Sequence, residues 1–169
     1  MIDTSRVLEA LKNLQEVAPS FDPFKGHLMG DPDTKSRFFS KTGGESLIKD
    51  LLVEAATLLE KDDSQEGVII ETYSTNYMVG TEVSNAPKEG QSYTMKMVHG
   101  CLQPTGVGKL HEEYTNVFTF VYTLEEGTKW CLASCFPGRA TSLGDLTNLN
   151  EGDVLSYEEL LNRGITRVC

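Results

Sequence analysis

Residues 117–124 alternate between two kinds of side chain. Phe118, Phe120, Tyr122 and Leu124 fall on one side of an extended chain, and Val117, Thr119, Val121 and Thr123 on the other. A period of two predicts a strand with one thickly apolar face. Glu125-Glu126-Gly127-Thr128 follows, and Gly127 supplies the positive φ that a tight turn needs. Trp130, Leu132 and Phe136 continue the apolar face on a return strand. Pro137-Gly138 stops that strand, because proline donates no ladder hydrogen bond and Pro-Gly suits a type II turn. This hairpin is the predicted centre of the fold.

The helical period appears in two stretches before it. Val7, Leu8, Leu11 and Leu14 form a stripe that predicts a helix over residues 4–17, with Asp3 or Thr4 at its start and Ala18-Pro19 at its end. A wider stripe, from Leu47, Ile48, Leu51, Leu52, Ala55, Ala56, Leu58 and Leu59, predicts a second helix over 45–61 lying against a sheet. The loop 20–44 between them carries Phe21, Phe24, Phe38 and Phe39, which are expected to pin it to the body. After a polar turn, strands are predicted at 68–74, 77–83 and 92–99, with Tyr93, Met95, Met97 and His99 on one face of the last. Residues 100–108 read as a connection bearing glycine and proline. Near the end, Ser156-Tyr157-Glu158-Glu159 is a capping box. It predicts a short helix over 157–163 that Gly164 stops, and 165–168 reads as an edge strand. The expected architecture is α+β, with a mostly antiparallel sheet of about five strands packed against two N-terminal helices and a short C-terminal helix. The expected organisation is one globular domain over 1–169, with a real core.

Composition adds limits. Apolar residues make up 39% and charged residues 24%, which places the chain among ordinary folded proteins rather than disordered ones. No apolar run reaches the roughly 20 residues that a bilayer crossing takes, and the N-terminal residues show no signal-like block. A net charge of −10 opposes bulk nucleic-acid binding and agrees with a soluble, cytoplasmic protein. The four cysteines, Cys101, Cys131, Cys135 and Cys169, show no disulfide framework. Cys131 and Cys135 are spaced like a metal pair, but four residues of strand span about 13 Å, and both read as small apolar residues on one face of the hairpin.

Three constellations carry residues suited to chemistry. Residues 100–109, GCLQPTGVGK, echo a phosphate loop, but Gln103 stands for its first glycine and Leu110 for its Ser or Thr. His99, Cys101 and His111 have metal-ligand chemistry without a zinc spacing, so no metal and no cofactor is predicted. The third constellation places Arg139, with Thr141 and Ser142, just after the Pro-Gly turn, where an arginine beside hydroxyls holds a phosphate or carboxylate. Hairpin pairing would bring Lys109 and His111 near Ser134 and Arg139. The candidate catalytic residues are therefore His111, Arg139 and Ser134, and the candidate binding residues Lys109, Thr141 and Ser142. Over four residues, Ser134-Cys135-Phe136-Pro137 resembles a strand ending of small bacterial ribonuclease toxins of the barnase, EndoU and colicin kind. That resemblance implies metal-free RNA cleavage by a histidine with a basic residue, and the acidic balance of the chain opposes it.

Two functions are expected from different classes. The first is a noncatalytic binding or interaction domain for a protein or small molecule, with no membrane and no bulk nucleic acid as partner. The second is a small enzyme on a phosphate-bearing substrate, with His111 as acid/base and Arg139 holding the anion.

Overall fold

A computed structural model describes residues 4–31, 36–63, 66–83, 87–98, 101–106, 112–125, 129–139, 144–166 and 168. The chain is α+β. Its elements run α1 (Thr4–Val17), β1 (Arg37–Phe38), α2 (Glu45–Glu54), β2 (Ala55–Asp62), β3 (Val68–Thr75), β4 (Gly80–Val83), β5 (Ser92–Val98), β6 (Cys101–Gly106), β7 (Glu112–Thr115), β8 (Val117–Glu125), β9 (Lys129–Pro137), β10 (Val154–Ser156) and α3 (Tyr157–Asn162). Among the described residues, ten strands form three sheets, ordered β2-β3-β8-β9, β1-β4-β7 and β10-β5-β6. Contacts divide the chain into two compact units, residues 1–82 with 113–139 and residues 83–112 with 140–169. No helix among the described residues is long and apolar enough to cross a membrane.

In the first unit the predicted hairpin is central. β8 pairs with β9 from Phe118–Pro137 to Glu125–Lys129, and on its other side with β3 from Ser74–Val117 to Val68–Thr123. Tyr73, Phe118, Phe120, Tyr122, Leu132 and Cys135 share one core with Val7, Ala10 and Leu11 of α1 and with Leu47, Ile48, Leu51 and Leu52 of α2. Tyr73 stacks on Phe118 at 5.4 Å, and Phe118 meets Phe120 edge-to-face at 5.3 Å. Such offset and edge contacts add about 0.5–1.5 kcal/mol each to the burial of the rings.

Several expectations change on contact with the fold. The helical stripe over 45–61 breaks at Glu54, and the remainder is β2. Pairing with β3, from Ala55–Thr75 to Asp62–Ile70, supplies the backbone partners that outweigh a helix-prone local sequence. The pattern misled because Leu58 and Leu59 are exposed, at 44% and 41%, and contribute little to a buried face. Only two of the four loop phenylalanines anchor their loop: Phe24 and Phe38 are buried, whereas Phe21 and Phe39 are about half exposed. β4 is shorter than the predicted 77–83 and pairs with β1 rather than with β3. The stretch read as a connection at 100–108 holds β6, which pairs with β5. The sheet count rises from about five strands to ten mainly through these short pairings, which carry too few residues to show a period.

The hairpin itself holds a further correction. Tyr122 pairs with Leu132 but Val121 with Ser134, so Ala133 is an extra residue, a β-bulge. Beyond it the side chains change face. Cys135, opposite Phe120, enters the helix-covered core, while Phe136, opposite Thr119, turns to the other face and meets His27 at 5.6 Å. The two cysteines are therefore on opposite faces rather than one, and both are fully buried.

The second unit has its own core of Tyr93, Met95, Leu155, Leu160, Ile165 and Val168. The serine half of the capping box is present: Ser156 Oγ accepts a hydrogen bond from the amide of Glu159 at 3.2 Å. Gly164, at φ 72°, closes α3 as the amide of Ile165 returns to the carbonyl of Leu160.

Phe120 joins three aromatic neighbours, Tyr73, Phe118 and Tyr122, and both helices in one core. Phe120→Ala is expected to lower unfolding free energy by about 3–5 kcal/mol in urea titration. A loss below about 1 kcal/mol would show that the sheet–helix core is not the main support.

Candidate functional site

A concavity in the first unit lies where α1 crosses the end of the hairpin. Arg6, Glu9, Ala10 and Asn13 follow one another at helical spacing and form one wall; Tyr122 of β8 and Lys129 and Trp130 of β9 form the other. The cleft holds about 300 Å³. The later turns of α1 are tied to the hairpin. Asn13 Nδ2 donates to the carbonyl of Trp130 at 2.9 Å, and Lys129 Nζ reaches Glu16 at 3.3 Å.

Beneath the cleft sits a charge that the fold had to accommodate. Glu71, on the central strand β3, is 4% exposed. Tyr73 donates its hydroxyl hydrogen to Glu71 Oε2 at 2.5 Å, and Arg6 Nη2 lies 3.0 Å from Oε1, an ionic contact rather than an aligned hydrogen bond. The Arg6 guanidinium also sits over the Tyr122 ring, 5.4 Å from its centroid. Burial, reinforced by the negative charge of Glu71 and by Tyr73, pushes the Tyr122 hydroxyl well above the ordinary tyrosine range; Arg6 opposes this only partly. Tyr122 thus remains a neutral donor. Among the described residues, neither its hydroxyl nor the Trp130 indole N–H finds a protein acceptor.

Among the described residues, the cleft lining contains no serine, cysteine or histidine. Its groups are suited to hold and orient a ligand. The sequence showed the Arg6-Glu9-Asn13 spacing on the flank of the α1 stripe. It did not show the facing wall, which exists only once β8 and β9 are paired beneath α1.

The residues singled out from the sequence lie elsewhere. Ser134 is fully buried beside Val121, and its Oγ has no hydrogen-bond partner. Arg139 is half-exposed and pairs through Nη1 with Glu60 Oε2 of β2 at 3.3 Å. Next to it, Thr119 Oγ1 donates to the Gly138 carbonyl at 2.7 Å and lies 3.1 Å from Thr72 Oγ1. Lys109, His111, Thr141 and Ser142 lie outside the described residues, as does His99, and Cys101 is placed only by its backbone on β6. Among the described residues no three His, Cys, Asp or Glu side chains converge as a metal set. Burial pushes the Cys135 thiol up, away from the thiolate form a nucleophile requires.

Tyr122 gives this geometry a pH signature. Its ordinary value is 10.0, which the unfolded chain recovers, while the folded chain holds the proton to higher pH. Above pH 10 the folded state binds more protons, so stability falls as pH rises; below that, this contribution is fully present. The urea midpoint is expected to drop more steeply above pH 10 in the parent chain than in Tyr122→Phe, and parallel curves would contradict the buried phenol. Compared with protein-family models, with curated proteins and with solved structures, the chain gives no match.

Proposed function

We propose that the chain is a noncatalytic binding domain whose ligand site is the cleft between α1 and the end of the β8–β9 hairpin. The observation that carries this reading is the composition of that cleft: among the described residues, two cations, a carboxylate, an amide, a neutral phenol and an indole line it, with no serine, cysteine or histidine beside them. A small concavity with a few converging polar groups on an aromatic wall is the usual form of a ligand site. Both walls rest on regular elements, which keeps the groups in place without a bound partner.

A fragment screen read by amide chemical shifts tests it. Binders are expected to shift residues 6–13 and 129–130 together, and Glu9→Trp, a bulky change at an exposed position of the helix wall, is expected to abolish those shifts. Fragments that bind with their shifts clustered elsewhere, or a screen without binders, would end this reading.

The second reading, an enzyme on a phosphate-bearing substrate, draws on Arg139, whose half-exposed guanidinium is held by one contact to Glu60 and can exchange that carboxylate for a ligand anion. His111 is the acid/base in this reading. Phosphodiester hydrolysis would be expected in the parent chain and lost in both His111→Ala and Arg139→Ala; equal turnover in all three rejects it.

A further inference from the structure

Resting on the cleft as the ligand site, we propose that its ligand is a small organic oxyanion, a carboxylate or a phosphate monoester, with a flat apolar body. The charged end is placed by Arg6 and Tyr122, and the body by Trp130. Arg6 carries the proposal. An arginine has five N–H donors in a rigid fork. Glu71 approaches only Nη2. The side chain is 44% exposed, so the remaining donors are accessible at the cleft. Tyr122 adds a hydroxyl that stays protonated, and Lys129, paired with Glu16, adds further N–H donors from the hairpin side. Donors outnumber acceptors, and a ligand rich in acceptors satisfies them.

A cationic ligand fits less well, although an aromatic wall beside Glu9 could suggest one. The Tyr122 ring already carries a cation, the guanidinium of Arg6. A ligand ammonium there would face Arg6 directly. Glu9 is exposed at the cleft, and solvent screens it more than the buried pair below. Arg6 also lies in the first turn of α1, where the helix amides add positive potential.

Trp130 is the chain's one tryptophan, so its fluorescence reports on the cleft. The full chain is titrated with benzoate, phenyl phosphate, benzamide and benzylamine while Trp130 emission is followed. Benzoate or phenyl phosphate is expected to saturate, and the stronger of the two identifies the oxyanion. Benzamide, similar in shape but neutral, is expected to bind about tenfold or more weakly. Arg6→Lys keeps a cation beside Glu71 and is expected to weaken oxyanion binding several-fold through loss of the fork. Arg6→Gln combined with Glu71→Gln removes the pair without stranding a buried carboxylate, and is expected to weaken it about tenfold or more. Glu9→Gln is expected to strengthen it. Equal saturation by benzamide, or a preference for benzylamine, overturns the oxyanion assignment and leaves the cleft as a binding site. Silence from all four probes also overturns the assignment, and the cleft itself then stands or falls by the fragment mapping.

Discussion

A carboxylate placed in the middle of a sheet has to be answered by other groups. Glu71 sits on the central strand β3, buried beneath a helix, and an ionised group there is costly unless it is paired and hydrogen-bonded. Tyr73, two residues along the same strand, supplies one bond. The other contact has to come from above, and α1 brings Arg6. The need to satisfy Glu71 therefore fixes where the first turn of α1 lies over the sheet. Asn13 and Glu16 fix its later turns through Trp130 and Lys129. The cleft is the space left between these attachments, and its chemistry follows from the residues that make them.

The same constraint explains why Tyr122 differs from a surface tyrosine. Its ring is packed between the aromatic row of the sheet and the guanidinium that answers Glu71. Burial holds its proton on, the negative charge below adds to this, and the positive charge above only partly offsets it. One buried acid thus meets a helix and the cation over a ring, and reinforces what burial does to the phenol.

The sequence is legible where one face of an element is buried over many residues. The α1 stripe, the alternation of β8 and the cap at Ser156 all follow rules set by neighbours within a few residues, and each appears in the fold. It is less legible where a distant strand decides. Residues 55–62 are helix-prone in isolation, and only β3 makes them a strand. Ala133 is an ordinary residue whose bulge is visible only in the register with β8, yet it exchanges the faces of Cys135 and Phe136. The cleft was half legible: the helix wall is written in the spacing of Arg6, Glu9 and Asn13, while the hairpin wall depends on how α1 is tied down. The focus on Arg139 came from local turn chemistry, and Glu60, which meets it across the sheet, belongs to the stretch whose pattern pointed to a helix.

β2 has one more consequence. It is the outer strand of its sheet, and Leu58 and Leu59 face solvent on it. A long, flat strand of that kind is a template for edge-to-edge growth. This one is not flat. Its pairing with β3 shifts register twice, between Ala55 and Thr57 and between Leu58 and Glu60, and it ends in Glu60-Lys61-Asp62. Irregularity of this sort twists an edge away from a second copy, and the closing charges oppose stacking. The distortion that hid this strand in the sequence is thus also a guard against aggregation.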